Sequence, residues 1–118
     1  MTIFRKFTFD SAHFLPNVPG THKCRNIHGH TYTLTLYISG SVDKTLGWVM
    51  DFADIKEKVN DVLSEIDHKL LNEVKGLENP TCEHVAIWIW NKINTGIPLL
   101  EKIELYETPS SGVVYCGA

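Results

Sequence analysis

From Lys6 to His13 polar and apolar side chains alternate, which sets Phe7, Phe9, Ser11 and His13 on one side of an extended chain. The whole stretch TIFRKFTFDSAHF, rich in Phe and Thr, reads as a β-strand. A second strand, HTYTLTLYISG, alternates as cleanly and stops at Gly40. Leu34, Leu36 and Ile38 share one of its faces, and the pleat gives the same face to His28 and His30 if the strand starts that early. Between Asp51 and Asp67 the period lengthens. Phe52, Ile55, Val59, Val62, Leu63 and Ile66 recur at helical spacing, with Lys and Glu between them, and Asp51 suits the N-cap. A second helix opens in NPTCEHVAIWIWNKINTG. Thr81 is its N-cap, Glu83 suits the positive end of the dipole, Val85, Trp88, Ile89 and Ile93 form the buried stripe, and Gly96 ends it.

The stretches EKIELYE and GVVYCG read as two short strands around the turn TPSSG. The order β-β-α-α-β-β predicts an α+β fold: an antiparallel sheet with both helices on one face. Four strands leave two unpaired edges, so pairing between subunits is expected. At 118 residues the chain is read as a single domain, 1–118, able to fold without disulfide or metal. A net charge of −3 argues against nucleic acid as a partner, because no excess of cations exists to displace phosphate counterions. Cys24, Cys82 and Cys116 are odd in number and widely spaced, which argues against a disulfide framework. No signal-peptide pattern and no membrane-length apolar run is seen, so a reducing cytoplasm is the expected location.

The chemistry concentrates in HKCRNIHGH, His22 to His30. On a strand, His28 and His30 point to one face and can meet one tetrahedral metal. On a helix the same spacing splays them by about 200°. His13, on the preceding strand, is the best third ligand. Three neutral imidazoles with an open position make a catalytic zinc site; the same three closed by Cys24 make a structural one, and spacing alone does not separate these. Lys23 and Arg25 flank Cys24, and cations beside a thiol favour thiolate, which readies a base or nucleophile. Asp67 precedes His68, and a carboxylate beside an imidazole fixes its tautomer, although such pairs at helix ends are commonly structural. Glu107 closes an apolar strand; facing inward, it can accept two parallel N–H bonds from a ligand.

Taken together and in order, HKCRNIHGH, DHKLLN, NPTCEHVAIWIW and YETPSSG resemble the 6-pyruvoyl-tetrahydropterin synthase family. The likeness runs over nearly the whole chain. The three residues between Cys24 and His28 suit its bacterial branch, the 6-carboxy-5,6,7,8-tetrahydropterin synthases of queuosine biosynthesis. The resemblance implies a T-fold whose subunits join their sheets into a barrel, with two trimers stacked as a hexamer and sites between subunits. It implies His13, His28 and His30 as zinc ligands, Cys24 as the catalytic base, and Asp67 with His68 as acid–base partners. It implies Glu107 as the pterin anchor, and Thr81 and Cys82 as lining the pterin pocket; relatives often carry a hydroxyl at the Cys82 position, and a thiol bonds more weakly. The implied substrate is 7,8-dihydroneopterin triphosphate, with Lys23 and Arg25 the nearest cations for the triphosphate and Arg5, Lys6 and Lys69 as rivals. Formation of 6-pyruvoyl-tetrahydropterin, or a non-catalytic zinc- or pterin-binding module, are the alternatives.

Overall fold

The computed structural model describes residues 1–118. Strands β1 (Thr2–His13) and β2 (His28–Ser39) are followed by helices α1 (Phe52–Leu63) and α2 (Cys82–Ile93), then β3 (Leu100–Thr108) and β4 (Ser111–Tyr115). All strand pairs are antiparallel, in spatial order β1-β2-β3-β4. The α+β arrangement read from the sequence is the one observed. No helix is long and apolar enough to cross a membrane.

Both helices cover one face of the sheet. Phe9, Tyr32, Leu34, Leu36, Ile38, Ile103 and Leu105 meet Ile55, Val59 and Leu63 of α1 and Val85, Ile89 and Ile93 of α2 in one buried core. The opposite face carries Phe4, Tyr106 and Val114 exposed to solvent. β1 and β2 pair in unbroken register from Thr2↔Ser39 to His13↔His28, whereas β3 pairs with β2 only from Thr33 onward. The ends of β1 and β2 therefore project as a two-stranded ribbon beyond the rest of the sheet. The molecule is correspondingly long, 58 × 23 × 22 Å.

Several boundaries differ from the periodicity. Alternation of burial in β1 begins at Thr2, ahead of Lys6, and it includes Arg5 on the helix side. Arg5 is tolerated there because its guanidinium reaches across to donate to the Phe52 carbonyl at the start of α1 (2.7 Å). Asp51 caps α1 through Oδ1, which accepts the Ala53 N–H (2.9 Å), but the helix stops at Leu63 instead of Asp67. Ile66 is still buried, carried inward by a tight turn closed from Ile66 N–H to the Leu63 carbonyl. Helix α2 ends at Ile93, and Gly96, two residues past the Asn94 cap, is not left-handed. β4 stops at Tyr115. Gly117, at φ 90°, turns the chain onto Trp90, where a Cβ would lie 2.9 Å from the indole.

Leu36 is fully buried in the centre of the sheet. Leu36→Ala is expected to destabilise the protein by about 2–5 kcal/mol in urea unfolding, through lost burial plus a residual cavity.

Candidate functional site

The projecting ribbon carries the three histidines. His13 and His28 are direct cross-strand partners, and His30 stands two residues along the same face of β2. Ring centroids are 4.5 Å apart for His13–His28, 5.1 Å for His13–His30 and 5.0 Å for His28–His30, and the three donor nitrogens lie within 4.8 Å of one another. Cys24 is not in that donor set. It is half-buried and lines the adjoining cavity of about 440 Å³ with Leu15, Lys23, Glu107 and Thr108.

Hydrogen bonds decide which nitrogen faces the cavity. His13 Nδ1 lies 2.8 Å from the Pro80 carbonyl and His28 Nδ1 lies 2.8 Å from the Asn26 carbonyl. A carbonyl oxygen only accepts, so each Nδ1 carries the proton and each Nε2 is left with a lone pair. Burial pushes the His13 pKa below 6.5, as do His28 and His30, against opposing pulls from the Pro80 carbonyl and Glu107. The neutral ring is therefore favoured. Its Nε2 is buried and has no hydrogen-bond partner.

Facing that lone pair, 3.4 Å away, is Glu107 Oε1, which also lies 3.7 Å from His30 Nε2. Two acceptors facing each other without a donor repel, and a cation between the imidazoles removes the conflict. The residues thus fit a bound metal ion, held by the Nε2 of His13 and by His28 and His30.

The structure brings His13, His28, His30, Cys24, Lys23 and Glu107 into one cavity. Asp67 and His68 lie elsewhere. Asp67 Oδ1 accepts from His68 Nδ1–H (2.9 Å) and from the Asp10 backbone N–H (2.9 Å), beside a side chain that the pleat turns away from His13. His68 adopts φ 57°, a left-handed conformation unusual without glycine, held by its N–H on the Asp10 carbonyl; its side chain is 77% exposed.

Thr81 and Cys82 do not line the cavity. The Thr81 hydroxyl caps α2 by accepting the His84 N–H, and Cys82 begins the buried stripe 82-85-86-89, its thiol donating to the Leu105 carbonyl. Burial, with Glu107 and Glu83 adding to it, pushes the Cys82 pKa up to about 12, so the thiol stays protonated. Among the cations, Arg25 is engaged with the Val18 carbonyl and Arg5 with Phe52, whereas Lys23 faces the cavity.

Sequence reading missed the groups that orient the site. Pro80 and Asn26 act through carbonyls, which no residue type marks. Asn72 clasps the backbone N–H and carbonyl of Phe14, just past His13; its place in DHKLLN was the available signal. Tyr32, stacked on Phe9 at 4.8 Å, buries a hydroxyl that has no partner in the chain.

The family model described as 6-pyruvoyl tetrahydropterin synthase matches residues 2–118. The chain belongs to this family. It is 38% identical over 119 residues to the 6-carboxy-5,6,7,8-tetrahydropterin synthase of Synechocystis sp., covering 96% of this chain and 91% of that one. It is 34% identical to the dihydroneopterin monophosphate aldolase of Pyrococcus furiosus, over 94% of this chain and 93% of the relative. The human 6-pyruvoyl tetrahydrobiopterin synthase is 31% identical over 98% of this chain and 90% of its own. Among solved structures, the Caenorhabditis elegans 6-pyruvoyl tetrahydropterin synthase superposes with a TM-score of 0.93 at 30% identity, covering 100% of this chain and 96% of that one. The T-fold of the family is thus the fold of this chain.

The pH dependence of stability follows from His13. In metal-free protein its folded pKa lies below the unfolded 6.5, so between the two values only the unfolded chain binds the proton. This contribution is complete above the unfolded value and is lost as pH falls through the folded one. Thermal melts of metal-free protein from pH 8 to 5 are expected to show a falling Tm. His13→Asn, which keeps a donor for Pro80 without titrating, flattens the decline.

Proposed function

We propose that the chain is a zinc-dependent carbon–oxygen lyase that converts 7,8-dihydroneopterin triphosphate and one water to 6-carboxy-5,6,7,8-tetrahydropterin, acetaldehyde and triphosphate. The product serves queuosine (7-deazaguanine) biosynthesis in the cytoplasm. One observation carries the reading: three imidazoles converge, with lone-pair nitrogens turned inward at His13 and His28, beside a half-buried thiol outside the donor set. That is the arrangement of an open site with a base next to it.

His13, His28 and His30 would hold the zinc ion. Bound there, zinc supplies Lewis-acid polarisation beside the side-chain hydroxyls of the substrate. Cys24, as thiolate, takes a carbon-bound proton, and Lys23 at the cavity wall meets the triphosphate. Glu107 accepts N–H groups of the pterin ring. Its Oε1 now faces His13 and His30, so a two-oxygen grip requires the carboxylate to turn away from them. Hydrogen shifts within the substrate reduce the ring, and no nicotinamide is consumed. Asp67 and His68 do not line the Cys24 cavity of their own chain, so His68 moves protons for a neighbouring copy, with Asp67 fixing its tautomer. This reading requires subunits paired through sheet edges in a trimer-based hexamer.

A second reading is formation of a 6-pyruvoyl product, favoured by the likeness to the human and C. elegans proteins. The aldolase relative adds the monophosphate as a competing substrate. Zinc-loaded protein incubated with dihydroneopterin triphosphate, or with the monophosphate, is analysed for products by mass spectrometry. Acetaldehyde with the 6-carboxy product from the triphosphate supports the proposal; a pyruvoyl or an aldolase product replaces it. Cys24→Ala is expected to lose about 10²–10⁴-fold in kcat while retaining one zinc per chain. Loss of zinc from that variant overturns the base assignment in favour of a thiolate ligand, and unchanged turnover removes Cys24 from the chemistry.

A further inference from the structure

The turn that carries Cys24 has no hydrophobic anchor. Lys23–Arg25 form a single 3-10 turn in which no residue is buried, and Ile27 beyond it is 65% exposed. Hydrogen bonds in such turns are poorer than in an α-helix, so the position of the thiol rests on whatever else holds the backbone. Cys24 has two such bonds. Its carbonyl accepts the Leu15 N–H (2.8 Å), and its own N–H donates to His22 Nδ1 (3.1 Å). His22 is thus the side chain that fixes the Cys24 backbone.

His22 occupies the N-cap with extended backbone, φ −73° and ψ 134°, a place where Ser, Thr, Asp or Asn is usual. The lone pair of Nδ1 sits where the Oδ1 of asparagine would sit, and it does the same work. To accept there, the ring must be neutral with its proton on Nε2. His13, His28 and His84 each set Nδ1 against a carbonyl oxygen and so carry the opposite tautomer. The cap on Cys24 accounts for the reversal at His22.

We propose that His22 is a positioning residue for Cys24. Its Nδ1 locks the turn that aims the thiol into the three-histidine cavity, and it acts through Cys24 without touching substrate. The proposal rests on the reading of Cys24 as the proton-abstracting base. Without the cap, the Cys24 N–H turns to water, and the thiol is spread over frayed conformers. Small displacements of a reacting group are expensive in rate, whereas substrate and metal binding depend on other residues.

The test compares zinc-loaded wild type, His22→Ala and His22→Asn. In His22→Ala kcat is expected to fall about tenfold or more, with KM within about twofold, because only transition-state alignment is lost. Zinc content stays unchanged, and asparagine restores kcat to within about threefold by supplying the same acceptor. Amide exchange at Cys24, followed by NMR, is expected to quicken roughly tenfold in His22→Ala and not in His22→Asn. Wild-type kcat and exchange in His22→Ala overturn the proposal, as does equal impairment of both variants. If the wild type does not turn over dihydroneopterin triphosphate, the functional reading fails, and the exchange comparison alone decides whether His22 holds the turn.

Discussion

A buried imidazole nitrogen with a lone pair and no donor to share it is the constraint on which the site depends. Pro80 compels His13 to carry its proton on Nδ1, and the sheet then presents the bare Nε2 to a carboxylate oxygen that is also an acceptor. Leaving a buried polar atom unpaired typically costs about 1–3 kcal/mol, so such an arrangement is retained for what it receives. A positive ion is the simplest group that satisfies both partners. Protonation is the competing answer, and desolvation opposes it. The choice between proton and metal is therefore set by burial, and the segment joining α1 to α2 packs over this end of β1 through Lys69, Leu70, Asn72 and Pro80.

The pleat does the rest of the placement. Because β1 and β2 keep register to their ends, His13 and His28 stand opposite each other and His30 follows on the same face. One residue of slip would send His28 and His30 to the outer face and leave Gly29 on the inner one. The hydrophobic core guards against that slip, since Leu34, Leu36 and Ile38 continue the same face of β2 into the packed interior. The energy that fixes a metal-ready geometry thus comes from residues some distance from it. The ribbon extends past β3, so the site opens to solvent without a gap in the core.

The alternation in the first two strands and the helical stripes made the architecture legible in the chain, and the HxH spacing on a strand made the clustering of His28 and His30 on one face legible. Helix ends were less so, because the apolar period through Ile66 persists in a tight turn after α1 has ended. The place of Cys82 in the core is legible for a related reason: it opens the buried stripe of α2, three residues before Val85, at helical spacing. The orienting carbonyls of Pro80 and Asn26 were invisible, since every residue has one and only the fold selects which is used. His22 opens the motif HKCRNIHGH, but its part is hidden there, because nothing in a residue type says which ring nitrogen accepts.

The placement of Asp67 and His68 away from Cys24 has a chemical consequence. The three imidazoles that share the cavity with Cys24 are committed to the metal in the proposed holoenzyme, whereas a further, free imidazole there would pair with the thiolate as an ion before substrate arrives. Here Asp67 is bound to the β1 backbone, the His68 backbone is held in a left-handed conformation by the Asp10 carbonyl, and neither residue lines the Cys24 cavity. In the proposed assembly, the base of one chain and the acid of another meet only across the substrate. The strained φ of His68 fits this account, since its cost is borne by the Asp10 contacts and its effect is to hold the imidazole outward, toward whatever docks there.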